Sequence, residues 1–137
     1  MGYFQIILLD THVCIWWIQE FTNIPKNTKR IILNAQKRNN IYISSISIWE
    51  IAMLVKYGRL LITIPLSDWI KKLESAPFIK FIPIDNTIAE HSVNLPGEFH
   101  KDPADRIIVA TSRILNIPVI TSDQKILQYP HVKSIWN

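Results

Sequence analysis

Tyr3-Phe4-Gln5-Ile6-Ile7-Leu8-Leu9, closed by Asp10-Thr11, is a nearly unbroken apolar run at the start of the chain. Seven mostly apolar residues ending in an Asp-Thr turn are too short for a helix of ordinary length. They read as a strand buried on both faces rather than one with a wet side. Val119-Ile120-Thr121-Ser122 followed by Asp123 repeats the design near the other end of the chain. Both aspartates are therefore expected at the carboxyl ends of strands, the edge of an open parallel sheet at which ligands bind.

Between these runs, strand and helix patterns alternate. A short helix is expected over Thr11–Gln19, with Trp16 and Trp17. Lys26–Arg38 reads as a helix with Ile31, Ile32 and Ala35 on one side and Lys26, Lys29, Arg30 and Lys37 opposite, while Leu33 falls among the basic residues. Asn39-Asn40 stops it before a short strand, Ile41–Ile43. A third helix begins around Ser44–Ser47, carries Glu50 and runs to Lys56-Tyr57, where Gly58 can end it. After an irregular 60–64, a helix is expected over Ser67–Ser75, a strand over Phe78–Ile84, and a helix capped by Asn86 reaching about Asn94. Asp102 as N-cap with Pro103 at the first helical position opens a helix that runs to Leu115. Ile117–Thr121 is the next strand, and Val132–Trp136 is a candidate edge strand. Such alternation implies parallel pairing and a three-layer α/β domain over 1–137, with a small sheet of four to five strands flanked by helices.

The composition narrows the function. With 137 residues the chain can bury roughly 68% of the surface its unfolded form exposes, enough for one core. The net charge of +4 suits a protein that meets a polyanion. One cysteine, Cys14, excludes an internal disulfide and a cysteine-based zinc site. Three glycines, none close to another, exclude a phosphate-binding loop or a dinucleotide fingerprint. The first residues lack a basic leader and a cleavable apolar stretch, and no run reaches the ~20 apolar residues of a membrane span, so a cytoplasmic protein with no membrane contact is expected.

The acids Asp10, Glu50, Asp105 and Asp123 mark the expected strand ends and helix starts. Each also has a purely structural reading. Ser47-Ile48-Trp49-Glu50 matches a capping box, Asp105 is the acid three residues after an Asp102 cap, and Asp10 and Asp123 can each cap a following helix. If the four converge, they repel by about 4 kcal/mol per pair at 4 Å with an effective dielectric of 20, and need a cation. Oxygen-only ligands favour Mg²⁺ or Mn²⁺ over Zn²⁺.

Leu8-Leu9-Asp10-Thr11-His12 with Trp16-Trp17, Ser44-Ser45 through Trp49-Glu50-Ile51-Ala52, His100-Lys101-Asp102-Pro103-Ala104-Asp105-Arg106 through Thr111, and Thr121-Ser122-Asp123 closely resemble PIN-domain nucleases of the VapC toxin type. The resemblance spans essentially the whole chain. It implies a Mg²⁺- or Mn²⁺-dependent endoribonuclease, with Asp10, Glu50, Asp105 and Asp123 as the acidic quartet and Asp10, Asp105 and Asp123 as metal ligands. Hydrolysis by a metal-activated water would leave a 5′-phosphate and a 3′-hydroxyl. Asp102 belongs to the Asp-Pro-x-Asp-Arg form of one branch of the family and also serves as a helix cap. Thr11, Ser45 and Thr121 are candidates to hold carboxylates or water, and equally ordinary turn or cap hydroxyls. Arg106 could pair with an acid or meet RNA phosphate, with a surface ion pair as the alternative. His100 is expected in a loop leaning towards the acids.

The family further implies a homodimer and a cognate antitoxin, bound in a toxin-antitoxin hetero-oligomer. Leu33 and the tryptophans before it are the expected antitoxin groove. Rival readings are a PIN nuclease of RNA processing, a catalytically silent RNA- or partner-binding domain, and a receiver domain. The complete quartet opposes the silent domain, and no evident lysine after a late strand supports the receiver.

Overall fold

The structure is a computed structural model that describes residues 5–19 and 23–137. Five strands, β1 (Ile7–Leu9), β2 (Ile41–Ser44), β3 (Ile79–Ile82), β4 (Val119–Ile120) and β5 (Ser134–Ile135), form one sheet in the order β3-β2-β1-β4-β5. All pairings are parallel. Helices α1 (Thr11–Ile18) and α2 (Lys26–Lys37) link β1 to β2, and α3 (Ser45–Lys56) and α4 (Leu66–Ser75) link β2 to β3. The chain then crosses back through α5 (Asn86–Val93) and α6 (Pro103–Leu115) to β4, and α7 (Gln124–Leu127) leads to β5. The expected α/β class, parallel sheet and flanking helices are all present.

β1 is central because both of its faces are covered. Ile7, Leu8 and Leu9 have no exposed surface. Ile7 and Leu9 pack with Val13 and Cys14 of α1 and Ile32 and Ala35 of α2, while Leu8 points the other way onto Ile46 of α3 and Ala104 and Ile108 of α6. This alternation is the period-2 pleat of a strand sandwiched between two helical layers. Each such side chain contributes ~1.5–3 kcal/mol by leaving water. Leu33 is the exposed apolar position on α2. Among the described residues, no helix is long and apolar enough to cross a membrane.

Several boundaries differ from the sequence reading. Tyr3 and Phe4, expected to start β1, lie outside the described residues. Asp85, not Asn86, caps α5, its Oδ1 accepting from the Ile88 amide at 2.8 Å. Both residues can cap, and extended backbone at Asp85 (φ −82°, ψ 177°) selects it. α3 starts directly from β2 with Ser44 as N-cap. Ser47 is therefore already inside the helix, and the capping box with Glu50 does not form. Glu50 sits well past the first turn rather than at the helix start. Gly58 (φ +71°) follows α3 in the left-handed conformation expected of a helix stop. α7 was not expected: four residues are too few to show a helical period.

Candidate active site

In strand order 3-2-1-4-5 the chain runs outward from β1 in both directions, so the topological switch lies between β1 and β4. The crevice outside the carboxyl ends at such a point is the standard ligand position. Asp10 follows β1 and Asp123 follows β4, one on each side of the switch.

Asp10 is 6% exposed. Its Oδ1 accepts from the Thr11 amide at 2.8 Å and its Oδ2 from Thr121 Oγ1 at 2.7 Å. Thr121 Oγ1 in turn accepts from the Asp123 amide at 3.0 Å, so one buried hydroxyl ties the ends of β1 and β4 together. Asp123 caps α7 through Oδ1, which accepts from the Lys125 amide at 2.7 Å. Both aspartates therefore cap helices, and each cap still leaves oxygen lone pairs free, because a carboxylate offers about four acceptor sites. Capping and cation binding do not compete here.

Glu50 accepts from Thr11 Oγ1, which also lies 2.8 Å from Ser47 Oγ. Thr11 thus joins α1 to α3 across the site. Asp102 is exposed and caps α6, its Oδ1 accepting from the Asp105 amide at 2.9 Å. Ser45, named from the sequence, makes no side-chain hydrogen bond among the described residues; Ser44 takes the cap and Ser47 the contact with Thr11. The early start of α3 shifts these roles, which sequence spacing alone did not reveal.

Electrostatics show that the acids converge. Burial raises the Asp10 carboxyl above its ordinary value, opposed by the hydrogen bonds from Thr121 and Thr11. Burial likewise raises Glu50, with Thr11 opposing and the charges of Asp10 and Asp102 adding. Asp105 is pushed up to about 7 by burial first, then by Asp10, Asp102, Asp123 and Glu50. Four carboxylates from four segments, one of them the exposed Asp102, therefore act on the half-buried Asp105.

The family model for the PIN domain matches residues 7–132. The chain belongs to the PIN-domain family. Ribonuclease VapC22 of Mycobacterium tuberculosis is 30% identical over 132 residues, covering 95% of this chain and 98% of that protein. Among solved structures, a toxin-antitoxin complex from Klebsiella pneumoniae shares 23% identity at a TM-score of 0.62, over 94% of this chain and 95% of that one. VapBC2 from Rickettsia felis, bound to a DNA fragment from its promoter, shares 17% identity at a TM-score of 0.69, over 97% and 100%. At these identities the two structures speak for the PIN fold alone.

The donor set of this PIN chain fits a hard divalent cation. Its acids are oxygen donors whose repulsion a cation would relieve. Among the described residues, no three acid, histidine or cysteine side chains form a ready-made metal cage. Mg²⁺ does not need one, because it is commonly held by one or two carboxylates with water completing its shell.

Two further features of the PIN chain stand apart from the acids. Among the described residues Arg106 pairs with no acid; its guanidinium donates to the carbonyls of Ser92, Val93, Phe99 and His100. The carbonyls at the end of α5 and in the following loop are the unmet acceptors that draw it inward. At the C-terminal end of α1, a groove of about 650 Å³ is lined by Trp17, Ile18, Ile24, Leu33, Leu73 and Phe78, with the exposed Lys29 and Lys72 beside them.

Proposed function

We propose that this chain is a metal-dependent endoribonuclease, the toxin of a toxin-antitoxin pair. The observation that carries this is the convergence on Asp105 of Asp10, Glu50, Asp102 and Asp123 beside the switch point. Similarity to Ribonuclease VapC22 supports RNA as the substrate. Asp10, Asp105 and Asp123 would hold Mg²⁺ or Mn²⁺. When bound, such an ion polarises the scissile phosphate and makes a nearby water more acidic.

The chain's own residues do the rest. Thr121 and the Thr11 amide each hold one Asp10 oxygen, fixing the carboxylate plane on rigid strand ends. Glu50 has one oxygen engaged by Thr11 Oγ1, which leaves the other to orient the attacking water and accept its proton. Asp10 and Asp102 cap α1 and α6, so the N-terminal turns of these helices open at the acids, and their partial positive ends favour an approaching phosphate. The products would carry a 5′-phosphate and a 3′-hydroxyl.

As partner we propose a cognate antitoxin whose apolar segment lies in the groove around Trp17 and Leu33. Toxin homodimers would then enter a hetero-oligomer in the cytoplasm. Similarity in fold to chains solved within toxin-antitoxin complexes supports this assignment.

The test is cleavage of a structured RNA by antitoxin-free protein, with the ends of the fragments identified. Fragments ligatable through a 5′-phosphate are expected. Cyclic 2′,3′-phosphate ends would instead indicate attack by the neighbouring 2′-hydroxyl, and would overturn the water-attack reading.

A further inference from the structure

His100 stands where the acids meet a loop, and its ring touches the Phe99 ring and the Asp105 carboxylate. Arg106, one residue after Asp105, spends its donors on that loop: Nη1 reaches Phe99 O at 2.9 Å and His100 O at 3.0 Å, while Nε reaches Ser92 O at 2.8 Å. The guanidinium fork thereby fastens the loop backbone to the end of α5 and to the first turn of α6, using a rigid geometry that lysine lacks. The Phe99 ring packs against the His100 ring with centroids 4.4 Å apart, and against Tyr129 at 4.8 Å.

The imidazole so placed has its Nε2 buried. That atom lies 3.0 Å from Asp105 Oδ2, off the line a full hydrogen bond needs, and has no other hydrogen-bond partner among the described residues. An ionised carboxylate can only accept, so once Asp105 serves a cation the hydrogen between the two atoms belongs to Nε2.

We propose that His100 is a positioning residue: its Nε2–H restrains Asp105 Oδ2, so that the other carboxylate oxygen faces the metal-binding space. The proposal rests on the reading that the acids bind a divalent cation. Carboxylates that ligate metals are themselves hydrogen-bonded, and removing such a support typically weakens metal affinity or activity by about 10- to 100-fold. His100 touches neither substrate nor cation in this account.

The experiment measures Mn²⁺ affinity by the electron paramagnetic resonance of free Mn²⁺, for the wild type, Asp10→Asn, His100→Ala and His100→Gln, each checked for folding by circular dichroism. Gln is chosen because its amide nitrogen can take the place of Nε2–H. His100→Ala should bind Mn²⁺ about 10- to 100-fold more weakly, and His100→Gln should recover to within about threefold of the wild type. RNA cleavage at saturating Mn²⁺ should recover in the same order. Wild-type affinity in folded His100→Ala overturns the proposal, and so does a Gln variant as weak as Ala, which would point to the imidazole as a direct ligand. If the wild type binds Mn²⁺ and Asp10→Asn binds it as tightly, the cation-site reading itself fails, and the inference falls with it.

Discussion

Replacing Asp105 with asparagine should make the metal-free protein more stable, and only above acidic pH. The folded Asp105 carboxyl loses its proton near 7, whereas an ordinary aspartate does so near 3.8. Between these values the folded state binds more protons than the unfolded one. The stability associated with this group is thus complete below about 3.8 and falls away as pH rises through about 7. A rise from 3.8 to about 7 corresponds to ~4 kcal/mol at ~1.4 kcal/mol per pH unit. The side chain is 17% exposed at the open end of the site, and solvent screening reduces the cost to ~2 kcal/mol. Losing an acid from the first turn of α6 offsets ~0.3–1 kcal/mol of the gain. Urea unfolding with chelator present should therefore find Asp105→Asn ~1–2 kcal/mol more stable than the wild type at pH 8, and no more stable at pH 4. A difference that is the same at both pH values, or a variant less stable at pH 8, would refute the argument that burial and like charges strain this carboxylate.

Other outcomes follow from the same geometry. Thr121→Val keeps the side-chain shape but removes the hydroxyl between Asp10 and Asp123. It should cost ~1.5–3 kcal/mol near neutral pH and less in acid, where Asp10 is uncharged, as read by chemical denaturation across pH. Cys14 has no exposed surface, and burial pushes its thiol up to about 12. A thiol-disulfide reagent should leave it unmodified in native protein and titrate it fully in urea, and rapid native labelling would contradict its place in the core. Leu33→Asp, at a position 43% exposed, should leave RNA cleavage intact while abolishing co-elution with the antitoxin on size exclusion. A complex that survives this change would move the antitoxin away from the groove.

The parts of the fold that could be read from the chain are those whose signal is local. β1 announces itself because burial on both faces requires an unbroken apolar run, and α6 because Asp102 and Pro103 satisfy the two demands of a helix start at adjacent positions. The placement of Asp10 and Asp123 followed from strand ends alone. What escaped the sequence depends on distant residues. Ser47-x-x-Glu50 has the spacing of a capping box, yet Ser44 begins the helix and Thr11, 39 positions from Glu50 in sequence, takes the carboxylate. Arg106 looked like a partner for acid or phosphate, but the open carbonyls at the end of α5 and in the next loop are nearer and unmet. His100 sits beside Asp105 because that same clamp holds the loop. α7 is too short for a periodic pattern, and only the capping ability of Asp123 foreshadowed it.

RNA cleavage by antitoxin-free protein, run in Mg²⁺ or Mn²⁺, in chelator, and with Asp10→Asn, decides whether these acids make a nuclease. Cleavage that needs both the metal and Asp10, in a variant that folds like the wild type, is the predicted result. Cleavage that persists in chelator, or that Asp10→Asn retains in full, would contradict a nuclease built on these acids.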